Sequence, residues 1–322
     1  MSEPSKTIKT PYASGIGSKP LTEHDCGDAA PGAGIHLYHF PPSSCSRKVR
    51  MALEYKGVSV QYHPVLLPLG DQHLPQYVRI NPRCVVPSLV VDKKVTTDSK
   101  NIIDHLDTIF PDASNKLIPE DEEERKLCQH WTQIADEVPI HAITFGEIKG
   151  VQKPFLLQQL TKGSDEKVCA QLESYIEQHK DDPYLKKAYE DKLKVVQANN
   201  NIRSKPTNME AVVESVEKTL VELNEQLANG PFSKSSGFLC SVNLSTADIE
   251  WCVLLNRFVE VGAGARWVDN PEKLPHIRPY LDKLVSLQCY KDGIASFDSK
   301  LSLLSLVVSR KLKGALGYEV VL

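Results

Sequence analysis

The chain predicts an α+β fold in two parts: a small mixed sheet with its helices near the N-terminus, and an all-α half behind it. Three observations carry that prediction. Between Ile35 and Phe110, short β-type runs and helix-spaced apolar stripes follow one another in the order β-α-β then β-β-α. From Glu120 onward the apolar residues recur at helical spacing. A chain of 322 residues with 41% hydrophobic composition can also build two modest cores.

The order over the first part specifies a thioredoxin-like domain with a mixed four-stranded sheet, assigned to residues 35–112. An all-α domain takes residues 119–292, with an insertion over about 146–206. Residues 293–322 read as a C-terminal amphipathic helix, and residues 1–34 as a disordered tail rich in Lys, Glu, Gly, Pro and Ser.

The first strand, Ile35 to Phe40, ends at Pro41-Pro42 because proline donates no ladder hydrogen bond. Ser43, Ser44, Cys45 and Ser46 then open a helix whose inward face is Val49, Ala52 and Leu53, stopped by Gly57 as a left-handed cap. Hydroxyls and a thiol thus sit where unpaired N–H groups and the positive end of a helix dipole converge, a setting that favours thiolates and carboxylates. The plain alternative is that Ser44 or Ser46 caps the helix.

Val86-Pro87 precedes the strand Ser88 to Val91, and the sequence leaves the isomer of that peptide bond open. Asp98-Ser99 opens the next helix, with Ile102, Ile103, Leu106, Ile109 and Phe110 as its stripe; capping is the plain role for that pair too.

In the second part the acidic run Glu120 to Glu124 suits a helix start, and Leu127, Trp131, Ile134 and Val138 continue at helical spacing, with Trp131 in the core. The stretch from Gly146 to Pro206 is rich in Lys, Glu, Asp and Asn and reads as a solvated helical insertion, with Tyr175, Tyr184 and Tyr189 facing solvent or a partner. Thr207 and Glu210 form a capping box before the stripe Val212, Val213, Val216, Leu220, Leu223 and Leu227, which ends at Asn229-Gly230. Ser245 and Asp248 form a second box ahead of the buried helix Ile249 to Phe258; their part is folding, not catalysis.

A formal charge of −3 gives no global attraction to nucleic acid. Eight cysteines without a Cys-x-x-Cys pair suggest neither a zinc site nor a disulfide framework and fit a reducing compartment. The ten histidines lack ligand spacing, so no metal is expected, and no Gly-rich phosphate loop appears. There is no secretory signal and no run of eighteen apolar residues, which predicts a chain that is cytoplasmic or lies on a membrane surface. For the latter, Phe297, Leu301, Leu304, Val308 and Leu312 beside Arg310, Lys311 and Lys313 form a basic amphipathic stripe, suited to a bilayer interface or to packing on protein.

Ser43-Ser44-Cys45 after the first strand, Val86-Pro87 before the third and Asp98-Ser99 at the following helix together resemble the glutathione transferase N-terminal domain, and SSCSRKVR resembles its zeta-type serine members. The resemblance implies glutathione as co-substrate and a homodimer. It makes Ser43 the hydroxyl that favours the glutathione thiolate, with Ser44 and Cys45 beside it. Val86 would pair its backbone with the cysteinyl part of the tripeptide across a cis-proline at Pro87, and Asp98 and Ser99 would hold its γ-glutamyl end. An apolar electrophile or lipid-like ligand would be the second substrate.

DEVPIHAITFGEIKG, DDPYLKKAYEDKLK in the insertion and the extended C-terminus also resemble the ganglioside-induced differentiation-associated protein 1 family. That likeness implies a role in mitochondrial network dynamics and fission on the cytosolic face of the outer membrane, with weak or absent conjugation. The serine motif implies the alternative, an active glutathione transferase or glutathione-dependent isomerase.

Overall fold

The computed structural model of the chain describes residues 24–29, 31–111, 115–155, 157–158, 164–233, 237–298, 305 and 307–310. The chain divides into two compact units. One holds a five-stranded sheet, residues 170–193 of the insertion and the described residues from Val285 onward; the other holds the described residues of 118–169 and 194–284.

In the sheet unit the strands are β1 (His24–Asp25), β2 (Ile35–His39), β3 (Gln61–Pro64), β4 (Ser88–Val91) and β5 (Lys94–Thr97), ordered β1-β5-β4-β2-β3. Only β2 and β3 run parallel, which requires the crossover helix α1 (Ser44–Lys56) between them. The four expected strands are present, and a fifth, β1, adds to β5 through His24↔Val95 and Asp25↔Lys94. It lies inside the stretch read as a tail; the first 23 residues of that tail fall outside the described residues.

The register fixes which side chains share a face. Leu37 and Leu89 stand opposite each other with no exposed surface, on the side where His39 meets α1. Helix α3 (Ser99–Ile109) packs against α1 and adds buried Ile102, Ile103 and Leu106. The other face carries Tyr38, Val90 and Val95, which cluster with Tyr77 and Ile80 of α2 (Pro75–Ile80). Gly57 ends α1 with φ 68°, its N–H on the Glu54 carbonyl, so the expected left-handed cap is present.

The helical unit contains α4 (Glu122–Glu137) and α5 (Ile140–Phe145). The insertion supplies α6 (Ser164–Gln178) and α7 (Pro183–Arg203). Then follow α8 (Pro206–Asn229), α9 (Thr246–Glu260), α10 (Gly264–Trp267) and α11 (Ile277–Ser286), with α12 (Gln288–Gly293) belonging to the sheet unit. Asp121 caps α4 through the N–H groups of Glu123 and Glu124, both at 3.0 Å. The inward stripe of α4 is Cys128, Trp131, Thr132 and Ala135, so Trp131 is in the core while Leu127 and Ile134 are half-buried.

Two helix ends depart from the expected chemistry. Helix α8 starts one residue before Thr207, with Pro206 in its first turn and Lys205 as a cap without a side-chain bond, because the fixed φ of proline suits that first turn. Gly230 after α8 is extended (φ −65°, ψ 167°) rather than left-handed. The Ser245–Asp248 box at α9 is formed as expected. Asp248 has no exposed surface, and it accepts from the Ser245 N–H (2.9 Å) and Oγ (2.7 Å), the Leu239 N–H (2.9 Å) and the Tyr280 hydroxyl (2.7 Å). Those bonds knit three segments of the helical unit around one carboxyl, a folding role.

Among the described residues of the C-terminal stripe, Phe297 and Val308 do not share one helix, because Asp298 between them is non-helical. Phe297 lies in a 3-10 turn that ends at Asp298, and it packs edge-on against His39 (5.4 Å) and Tyr62 (5.0 Å) of its own unit. Val307 joins the Tyr38 cluster, and Arg310 donates to the Pro64 carbonyl at 3.3 Å and pairs with Asp71 at 3.4 Å. Leu301, Leu304, Leu312, Lys311 and Lys313 lie outside the described residues. Among the described residues no helix is long and apolar enough to cross a membrane.

Candidate functional site

The sheet register brings the three sequence motifs to one end of the sheet. Ser88, the first residue of β4, pairs with Tyr38 near the end of β2 on one side and with Thr97 at the end of β5 on the other. Phe40 to Ser43, Val86-Pro87 and Asp98-Ser99 continue from those three residues, so all of them leave the sheet at the same edge. That convergence depends on pairing between distant strands.

At Ser43 the chain turns from strand into helix within four residues. The Ser43 N–H reaches the Phe40 carbonyl at 2.9 Å, and the Phe40 N–H reaches the buried Ser46 Oγ at 3.3 Å, tying the Pro41-Pro42 turn at both ends. The helix cap is Ser43 itself, not Ser44 or Ser46: its Oγ accepts from the Ser46 N–H at 3.4 Å. A hydroxyl that caps through its oxygen keeps its own proton to donate. Ser43, Ser44 and Cys45 are all half-exposed at the N-terminus of α1. The positive end of the helix dipole there favours a thiolate.

The Val86-Pro87 bond is cis. Its surroundings are tied down by α2: the Tyr77 hydroxyl donates to the Val85 carbonyl at 2.6 Å, and Asn81 Nδ2 reaches that carbonyl and Ser88 Oγ, both at 2.9 Å. No hydrogen bond to the Val86 backbone is present among the described residues, which leaves it open to an extended peptide.

Asp98 takes φ 74°, a conformation seldom adopted by residues other than glycine. Its Oδ1 caps α3 through the Lys100 N–H (3.1 Å) and Asn101 N–H (3.4 Å), and its Oδ2 pairs with Arg83 at 3.4 Å. Ser99 is buried behind it. Sequence reasoning missed Arg83, although its place in the run before Val86-Pro87 was a signal. A carboxylate and a guanidinium side by side suit the ammonium and carboxylate of an amino-acid end.

Sequence reasoning also missed two buried bases in this unit. His39 and His73 are almost without exposed surface. Burial, with Arg50 as a lesser cause, holds His39 down to about 3; burial, with Lys192 as a lesser cause, holds His73 down to about 4. Both imidazoles are neutral in the folded chain near neutral pH and charge in the unfolded chain below 6.5, so stability is fully present above that value and falls as the pH drops through the window toward 4. The expected loss is about 2.7 kcal/mol per pH unit for the two groups together. Urea midpoints at several pH values measure it; His73→Gln should halve the slope, and equal midpoints across the window contradict it.

In the helical unit, a hollow of about 340 Å³ beside α4 and α8 is lined by Trp131, Glu222, Glu225, Gln226, Asn229 and Gly230, and its two glutamates make it a poor seat for an apolar molecule. Among the described residues no group of His, Cys, Asp and Glu could hold a metal ion.

Residues 37–114 match the family model of the glutathione S-transferase N-terminal domain. Over 260 residues, 80% of this chain and 94% of the relative, the chain is 31% identical to the tetrachloro-p-hydroquinone reductive dehalogenase of Sphingobium chlorophenolicum. It is 27% identical to a 2,5-dichlorohydroquinone reductive dechlorinase of Sphingobium indicum, over 81% of this chain and 82% of that protein. The crystal structure of the β-etherase LigF of Sphingobium sp. strain SYK-6 superimposes with a TM-score of 0.61 at 29% identity, covering 81% of this chain and 99% of LigF.

The chain belongs to the glutathione S-transferase superfamily. The two reductive dehalogenating relatives and LigF named here come from bacteria; these similarities do not support the mitochondrial-fission and outer-membrane role drawn from the likeness to ganglioside-induced differentiation-associated protein 1, and they fit the enzyme alternative better.

Proposed function

We propose that this chain is a glutathione-dependent enzyme acting on a small aromatic electrophile, with a halogenated hydroquinone as the favoured substrate class. The observation that carries the reading is the convergence of Ser43, Val86-Pro87 and Asp98 at one sheet edge. The tripeptide lies extended along Val86 with its amino-acid end at Asp98, Arg83 and Ser99 and its sulfur at the N-terminus of α1. Ser43 donates its proton to the sulfur, and the dipole of α1 adds to the stabilisation of the thiolate. A cysteine thiol near pKa ~8.5 needs only a modest shift to be a nucleophile at neutral pH.

Replacing chlorine by hydrogen on the ring consumes two electrons, and two thiols becoming one disulfide supply them. The balance is ArCl + 2 GSH → ArH + GSSG + HCl. Cys45, two residues beyond Ser43 and half-exposed, offers a protein thiol to that exchange. Cys45→Ser should therefore lose the reductive reaction while keeping simple conjugation of glutathione to an activated aryl halide, a split read by product analysis. Equal loss or equal retention of both reactions sinks the role of Cys45. Retention of both by the wild type and Ser43→Ala alike sinks the site.

A further inference from the structure

The insertion, whose charged composition reads as a solvated helix, turns out to be bound to the sheet unit, and its three tyrosines do not share one fate. Tyr184 is 44% exposed, but Tyr189 has no exposed surface. Its hydroxyl donates to the main-chain carbonyl of His73 at 2.8 Å, and its ring stacks on Tyr175 at 5.1 Å. Gln171 of α6 holds the other side of the same residue, its Oε1 3.1 Å from His73 Nδ1, and lies so close to Gly70 (φ 81°) that a Cβ there would meet it at 2.5 Å. Arg79 of α2 pairs with Asp182 at the turn between α6 and α7, at 2.7 Å.

His73 stands two residues before α2, and the side chains of Tyr77 in α2 and of Asn81 at its C-terminal cap hold the Val85 carbonyl and Ser88 Oγ on either side of Val86. We infer that the α6–α7 hairpin is a positioning element for the peptide-binding edge, with Tyr189 and Gln171 clamping His73 so that α2 presents Val86 in place. This inference rests on the glutathione reading above. Neither Tyr189 nor Gln171 touches the proposed ligand; they act through α2.

The physical reason is accounting of buried polar groups. The His73 carbonyl receives the Tyr189 hydroxyl inside a site closed to water, so removing that hydroxyl leaves a buried acceptor without its donor. The least costly relief is a shift of residues 71–74 away from the hairpin, and α2 follows. A loss of this kind acts on binding of the peptide and not on the reacting sulfur, which sits on α1.

The test compares Tyr189→Phe, which keeps the ring stack, and Gln171→Leu with the wild type and with Lys187→Ala, which breaks only an exposed pair with Asp191. Two quantities are read on the full chain: the dissociation constant for reduced glutathione with the KM and kcat of conjugation, and amide hydrogen exchange. Tyr189→Phe and Gln171→Leu should each raise the glutathione dissociation constant and KM by about fivefold with kcat within twofold, and should speed exchange over residues 71–89 only. Lys187→Ala should change neither. Unaltered glutathione affinity, a fall in kcat matching the change in KM, or faster exchange spread over the whole sheet unit overturns the inference. A wild type that binds no glutathione contradicts the proposed function instead, and the exchange pattern then decides the coupling by itself.

Discussion

Ser43→Ala should lower kcat/KM for conjugation of glutathione by about tenfold to a hundredfold while the chain stays folded. A hydrogen bond from a neutral hydroxyl to an anion contributes about 1.5–3 kcal/mol, and each 1.4 kcal/mol is about tenfold in rate. The same substitution removes the cap on the Ser46 N–H, at a cost of about 1 kcal/mol. That cost leaves α1 in place, because Gly293 of α12 packs directly on the Arg50–Met51 backbone and Val49, Ala52 and Leu53 are wholly buried. Ser43→Thr keeps a hydroxyl and should keep most of the activity. Steady-state kinetics with a generic aromatic electrophile, alongside a thermal unfolding curve, separate lost chemistry from lost structure.

The second large effect concerns Arg50. Its guanidinium has no exposed surface and is satisfied without a carboxylate in direct contact: Nε donates to the Gly293 carbonyl at 2.7 Å, NH2 to the Pro41 carbonyl at 3.0 Å and NH1 to His39 Nδ1 at 3.0 Å. The ring of Phe297 lies 4.6 Å from its central carbon. One side chain thus ties the turn before Ser43, the end of β2, α12 and the 3-10 turn that carries Phe297.

Arg50→Met keeps the volume and strands three acceptors, and should destabilise the sheet unit by about 3–5 kcal/mol, the range for breaking a buried charged network. Arg50→Lys should recover only part of that, since a point charge cannot make the three-way fork. Urea unfolding reads both; a loss below about 1 kcal/mol for the methionine variant would show that the network is not what holds these segments together.

What was legible in the sequence was what local chemistry determines. The Pro41-Pro42 stop, the serines at the start of α1, Gly57 and the Asp98 cap depend on neighbours within a few residues, and the structure has each of them. β1 was not legible: two residues carry no periodicity, and only Val95 and Lys94 across the sheet make them a strand. At α8 the Thr207–Glu210 pattern was outweighed by the proline before it.

Arg50, Tyr189 and His73 lay beyond reach for a different reason. An arginine among SRKVR and a tyrosine among Lys and Glu look solvated, and nothing local tells that Gly293 or His73 will come to meet them. The same holds for the site: Ser43, Val86 and Asp98 were readable as residues, but their meeting at one edge is a property of the register.

The central claim is that α1 holds glutathione as its thiolate through Ser43. Ultraviolet absorbance of the thiolate, titrated against pH with reduced glutathione added to wild type and to Ser43→Ala, tests it most directly. The account predicts a bound thiolate at neutral pH in the wild type and its appearance at least one pH unit higher in Ser43→Ala, about 1.4 kcal/mol of differential stabilisation. Identical titrations for the two proteins, or no bound glutathione in the wild type at millimolar concentration, would contradict it.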